Sequence, residues 1–316
     1  MDNNIRYNEP WILQRADPYV YRHTDGICYF TASLPEYDGI ALRRSETLAG
    51  LAEAEEVRIW NRHESGIMSF HIWAPELHYL DGKWYIYFAG SDKDDIWALR
   101  PYVLECADED PVFGNWVEKG MIQRADDDAF SFTDFSLDAT VFEVRGERYY
   151  VWAEKVSVGK KISNLYIAKM ESPWKLKTAQ VLLSTPCYDW ERVGFWVNEG
   201  PFAIRRNGRI FITYSASETG IDYCVGLLSA DENADLLDPG SWKKSRTPVL
   251  RSDASRKIYG PGHNCFTTDE DGNDIMVYHA RTDTEIEGDP LYNPNRHAML
   301  MKVRWNEDGT PRFSYE

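Results

Sequence analysis

Apolar and polar positions along this chain alternate in short runs, and the runs recur at a long, regular interval. Gly26-Ile27-Cys28-Tyr29-Phe30, Gly82-Lys83-Trp84-Tyr85-Ile86, Gly146-Glu147-Arg148-Tyr149-Tyr150, Gly208-Arg209-Ile210-Phe211-Ile212 and Gly272-Asn273-Asp274-Ile275-Met276 each open such a run, at steps of 56, 64, 62 and 64 residues. Four of these glycines follow Asp or Asn, and Gly146 follows Arg145. Asx-Gly between two apolar runs predicts a hairpin, because both central residues of its tight turn favour positive φ. The runs after the turns are aromatic and β-branched, as in Trp84-Tyr85-Ile86-Tyr87-Phe88 and Ile210-Phe211-Ile212-Thr213-Tyr214, which suits strands. No long window keeps a helical period.

Each unit reads as a first strand, the turn, an aromatic second strand, and a third such as Tyr102-Val103-Leu104 or Leu165-Tyr166-Ile167-Ala168. Several units add a fourth, such as Ala179-Gln180-Val181-Leu182-Leu183. Repeated four-stranded units at this period predict an all-β, five-bladed β-propeller with its site at the central axis. No linker divides the chain, so residues 1–316 read as a single domain. Little chain follows Trp305 in the fifth unit, and Ile5 to Leu13 is expected to supply its missing strand and close the ring.

Eight or nine residues before each glycine stand Asp17, Trp73, Asp138, Glu199 and His263. Three carboxylates at one repeat position, on strands otherwise apolar, are costly to desolvate by chance. Two carboxyl groups flanking a bond suit glycoside cleavage, one protonated and one ionised. A third can raise the acid by like-charge repulsion. A hard-cation site is the competing use of such acids, but no EF-hand-like loop occurs.

The chain carries 35 Lys and Arg against 51 Asp and Glu, a net charge of −16. That balance disfavours nucleic acid and anionic membranes as partners and is compatible with a neutral sugar. Five scattered cysteines without CxxC spacing read as thiols rather than disulfides or a zinc site. No basic segment with an apolar core opens the chain, so the expected location is cytoplasmic, or outside the cell if a leader has been removed.

Five motifs at blade spacing carry a family resemblance: Ala16-Asp17-Pro18, Ile72-Trp73-Ala74-Pro75-Glu76-Leu77, Ser136-Leu137-Asp138-Ala139, Val197-Asn198-Glu199-Gly200-Pro201 and Gly260-Pro261-Gly262-His263-Asn264. In these the chain resembles glycoside hydrolase family 43, five-bladed propellers that remove arabinose or xylose from plant polysaccharides. The resemblance implies inversion at the anomeric carbon, with Asp17 as general base and Glu199 as general acid. Asp138 would position Glu199 and lift its pKa. An inverting pair is expected about 6.5–9.5 Å apart. His263 would hold a largely hydrated calcium or sodium ion in the channel, and no cofactor is implied for the chemistry. Trp73 would offer its ring to the sugar, Arg296 would bond sugar hydroxyls, Phe195 would line the entrance with Trp196, and His71 would stand in the pocket wall.

The texture of Phe195 to Glu199 and Asn293 to Arg296 looks most like exo-acting α-L-arabinofuranosidases. The expected partner is an arabinose-containing oligosaccharide or polysaccharide. The alternatives are a β-xylosidase, a retaining relative of the invertase-like enzymes, and a non-catalytic sugar-binding propeller. The last has no need for three axial acids.

Overall fold

A computed structural model describes residues 5–315; residues 1–4 and 316 of the expected 1–316 domain lie outside the described residues. Its regular structure is strand, with four short 3-10 turns and no α-helix among the described residues. Each sequence unit is a group of antiparallel strands. The first comprises Ala16–Arg22, Cys28–Ser33, Gly39–Ser45 and Val57–Asn61; the second, Phe70–Leu80, Lys83–Asp92, Asp95–Cys106 and Trp116–Met121. The third comprises Ser136–Val144, Glu147–Val156, Ile162–Ser172 and Val181–Ser184; the fourth, Trp196–Arg206, Arg209–Ala216, Cys224–Asp231 and Lys243–Lys244. The fifth has Tyr259–Thr268, Asp274–Arg281 and His297–Lys302, and its fourth strand is Pro10–Ile12 from the other end of the chain. Pro10 stands opposite Met299 and Ile12 opposite Ala298. Of the expected Ile5 to Leu13 strand, Pro10–Ile12 is extended and paired.

The strands are apolar on both faces because both faces are covered. In Glu147–Val156, Tyr149, Val151 and Ala153 pack with Ile210, Ile212 and Tyr214 of the fourth group. The alternate residues Tyr150 and Trp152 pack with Tyr85, Tyr87 and Val103 of the second. Period-two alternation thus sends successive side chains into two different cores. Groups four and five share Val225, Met276, Tyr278 and Met299 in the same manner, and groups five, one and two share the largest cluster. The first strands also touch in cyclic order, the fifth returning to the first.

Every first strand breaks its register at least once. The ladder skips between Ala16 and Tyr19, Trp73 and Glu76, Leu137 and Thr140, Glu199 and Phe202, and Gly262 and Cys265. Inside each skip one residue takes positive φ: Asp17 (54°), Ala74 (48°), Asp138 (52°), Gly200 (52°) and His263 (43°). These are β-bulges, which bend a strand and re-aim a side chain. A non-glycine residue held in the left-handed region costs about 1–3 kcal/mol and persists where its surroundings enforce it.

The enforcing contacts run from unit to unit. The Asp17 amide donates to His279 Nδ1 of unit five at 3.0 Å, and the Ala74 amide to Ser33 Oγ of unit one at 2.8 Å. The Gly200 amide donates to Asp138 Oδ2 at 3.2 Å, and the His263 amide to Ser215 Oγ of unit four at 2.7 Å. Four of the five bulges are thus each fastened to the preceding unit. The true structural equivalents are Asp17, Ala74, Asp138, Gly200 and His263, so Trp73 and Glu199 stand one residue earlier than the repeat count implied. The reason is local: a glycine-anchored count cannot see which residue of a strand bulges.

Candidate active site

Three of the five bulge residues, Asp17, Asp138 and His263, line a cavity of ≈ 960 Å³, together with Glu199 and Arg296. Asp17 is buried there in a polar cradle. Ser33 Oγ donates to its Oδ2 at 2.6 Å, while its Oδ1 lies 3.2 Å from His263 Nδ1, 3.4 Å from His279 Nδ1 and 3.6 Å from an Arg296 nitrogen. Burial works against its charge, but His263, Arg296 and His279 outweigh it and hold the carboxyl well below the usual carboxylate range. Burial also pushes both imidazoles down, His279 to about 4. At neutral pH the standing positive charge beside Asp17 is therefore Arg296.

Glu199 is the opposite case. Burial pushes its carboxyl up to about 7, with Asp17 adding to the rise and the Tyr223 hydroxyl, Lys155 and Arg296 opposing it. Burial likewise pushes Asp138 well above its ordinary value, reinforced by the charges of Glu199 and Asp17. The first cause of the Glu199 rise is desolvation rather than the charge of Asp138. Asp138 and Glu199 titrate as a pair, and at least one of them is protonated near neutrality.

Positioning is tight. Tyr223 donates to Glu199 Oε1 at 2.8 Å, and its ring stacks on His279 at 5.6 Å and 7°. A Cβ on Gly262 would fall 2.3 Å from the Tyr223 ring, and one on Gly200 would fall 3.1 Å from His263. These two glycines let the acid, its tyrosine and the imidazole approach.

The other expected residues divide. Trp73 lines the cavity, 6% exposed, edge-on to Tyr37 at 5.5 Å. Phe195 (64% exposed) and Trp196 stand at the mouth. Arg296 is 4% exposed; it donates to Tyr37 Oη at 2.7 Å and its Nε has no partner among the described residues. Such an orphaned donor suits a hydroxyl ligand. His71 is displaced from its expected place. It stacks behind Trp73 at 4.1 Å, with Nδ1 on the Ile96 carbonyl at 2.8 Å and Nε2 on Tyr292 Oη at 2.9 Å. Both nitrogens being engaged, it buttresses the wall and is absent from the cavity lining.

His263 turns Nδ1 toward Asp17 and, at 3.7 Å, Asp138. No group of three or more His, Cys, Asp or Glu among the described residues could hold a metal ion. One imidazole nitrogen would leave water to supply the oxygen ligands a hard cation gathers, and no chemistry below depends on an ion. Sequence reading missed Tyr223, His279, Ser33, Tyr37 and Lys155. They lie on second and third strands or a connection, where the first-strand count does not reach.

An ionised carboxylate and a protonated carboxyl in one cavity have the chemistry that acid–base cleavage of a glycosidic bond requires. The sequence pattern of the glycosyl hydrolases family 43 matches residues 7–311, and the chain belongs to that family. It is 50% identical, over 98% of its length, to the "Extracellular exo-alpha-(1->5)-L-arabinofuranosidase" of Streptomyces avermitilis, of which it spans 63%. It is 53% identical to the protein of the same name from Streptomyces chartreusis, over 90% of this chain and 85% of that one. The crystal structure of an alpha-L-arabinofuranosidase from Lactobacillus brevis superposes with a TM-score of 0.91 at 52% identity, covering 98% of each chain. No helix among the described residues is long and apolar enough to cross a membrane.

Proposed function

We propose that this chain is an inverting, exo-acting α-L-arabinofuranosidase in which the five strand groups are the blades of a five-bladed propeller. The cyclic contacts of the first strands and the shared cores between successive groups support the propeller. The described residues act as one catalytic unit, completed by Pro10–Ile12. The observation that carries the activity is the opposite protonation of Asp17 and Glu199 across one cavity. The names and identities of the two Streptomyces relatives and the Lactobacillus structure support arabinofuranose as the sugar released.

In this reading Asp17 accepts a proton from water as the water oxygen bonds to the anomeric carbon. Glu199 gives its proton to the glycosidic oxygen as the carbon–oxygen bond breaks. Asp138 holds the Gly200 amide, and through it the bend that aims Glu199. Trp73 offers an apolar ring to the sugar's C–H face, and the free Nε–H of Arg296 takes a hydroxyl. The axial calcium or sodium ion implied by the family resemblance would rest on the remaining nitrogen of His263, with water supplying its other ligands. The substrate is an arabinan or arabino-oligosaccharide. The relatives' names favour action outside the cell over the cytoplasmic default.

Turnover of 4-nitrophenyl α-L-arabinofuranoside is expected to exceed that of the β-D-xyloside. Early NMR of the released sugar is expected to give the inverted anomer. Faster xyloside turnover overturns the sugar assignment, and a retained anomer overturns the roles of Asp17 and Glu199.

A further inference from the structure

We infer that Lys155 is a substrate-positioning residue: its ammonium receives a hydroxyl of the sugar on the leaving side and stabilises the Glu199 carboxylate as its proton departs. The inference rests on Glu199 being the acid.

The register sets the two groups side by side. Lys155 stands opposite Ser163, and Ser163 pairs with Val197 across the parallel contact joining the third and fourth groups. Glu199 follows Val197 by two residues, and Lys155, Val197 and Glu199 all line the cavity. The base of Lys155 is fixed. Its amide donates to the Phe135 carbonyl at 2.9 Å. The neighbouring Glu154 carboxylate accepts the amides of Phe132, Thr133 and Asp134, tying this strand end to residues 132–135.

The ammonium has a ring beneath it and no ion pair among the described residues. It stands 3.8 Å from the centroid of Phe135. Lys160, which also lines the cavity, pairs with Asp134. Burial lowers the pKa of Lys155, and the charge of Glu199 counters this. A cation–π contact offsets part of the desolvation but uses no N–H. The three donors of Lys155 are therefore available in a cavity that takes a hydroxylated ligand.

The surroundings orient that ligand. Phe135 stacks with Trp97 at 6.4 Å, Trp97 lies 5.2 Å from His71, and His71 stacks on Trp73. This apolar wall runs from the sugar-facing tryptophan to the Lys155 ammonium. A second arabinofuranosyl unit can lie with its C–H face along the wall and a hydroxyl at the ammonium. An aryl leaving group has no hydroxyl to offer there.

The test compares Lys155→Met, Lys155→Gln and Lys155→Arg on an arabinofuranosyl disaccharide and on 4-nitrophenyl α-L-arabinofuranoside. Losing a charged hydrogen bond is expected to reduce kcat/KM on the disaccharide about ten- to hundredfold, and by less on the aryl glycoside. In K155M and K155Q, Glu199 keeps its proton to higher pH, so the alkaline limb of the kcat/KM profile moves up; K155R is expected to hold the limb. Two neutral variants keep the test standing if one fails to fold. Equal losses on both substrates, an unmoved limb, or the same shift in K155R each overturn the inference. An unaltered protein inactive on both arabinosides overturns the proposed function and this inference together. An active protein matched by K155M overturns this inference alone.

Discussion

Asp17 and Glu199 lie in the same cavity, Asp17 buried and Glu199 half-buried, and reach opposite ionisation states. Desolvation is the largest influence on each and pushes both upward. The difference is in their neighbours. Asp17 has Arg296 at 3.6 Å, a hydroxyl donor at 2.6 Å and two imidazoles within 3.4 Å. Glu199 has the Tyr223 hydroxyl and only more distant cations, with Asp17 adding repulsion. Burial thus makes both groups sensitive, and the partners gathered on the Asp17 side, His263, Arg296 and His279, decide which is ionised and which protonated.

Removing either acid should break this comparison most severely. Glu199→Ala is expected to reduce turnover of arabino-oligosaccharides about 10²–10⁴-fold, the range for lost general-acid help. It should affect aryl arabinosides far less, because their leaving groups depart without protonation. Asp17→Ala should impair both substrates alike. Parallel steady-state assays check the split, and equal losses in Glu199→Ala would reverse the assignment.

Arg296→Met is the next largest change, about a hundredfold in kcat/KM, from the lost charge-assisted contacts. Without the guanidinium Asp17 binds its proton more readily, so the acid limb of the pH profile moves up. Glu199 also loses a cation that lowers it, so the alkaline limb moves up too. A profile that falls in height without moving would show that Arg296 only binds sugar.

The smallest effect concerns stability. A folded-state pKa near 7 against the ordinary 4.5 means that Glu199 contributes fully below pH 4.5 and loses that contribution as pH rises through 7. The loss is about 3 kcal/mol, from 1.36 kcal/mol per pKa unit. Glu199→Gln, which does not titrate, should therefore gain in melting temperature over the parent between pH 4.5 and 7.5. A constant difference across that window would mean that Glu199 is not raised.

Much of this comparison is legible in the chain. Glycine turns at a 56–64-residue step, four of them Asx-Gly, mark five strand groups, and the count back from them meets all three acids and His263. Arg296 takes its expected role from the family resemblance alone, because nothing in its run of asparagines and proline marks it. His71 reads as a wall residue, yet its ring is satisfied by Ile96 and Tyr292 behind Trp73. The 282–296 connection that supplies Tyr292 and Arg296 is itself held by Arg281, which donates to Asn293 Oδ1 at 2.6 Å and to the Pro290 carbonyl at 2.7 Å. Such long-range partners leave no period behind.

By itself the sequence determined the strand units, their number and the residue types at their inner ends, because hairpin chemistry and alternation are local. Only the tertiary structure decided which residue of each first strand bulges, because the amides of Asp17, Ala74, Gly200 and His263 are claimed by side chains of the preceding unit. It also decided which carboxyl is ionised. That depends on the arrival of His263, Arg296 and His279 beside Asp17, all more than 240 positions away along the chain.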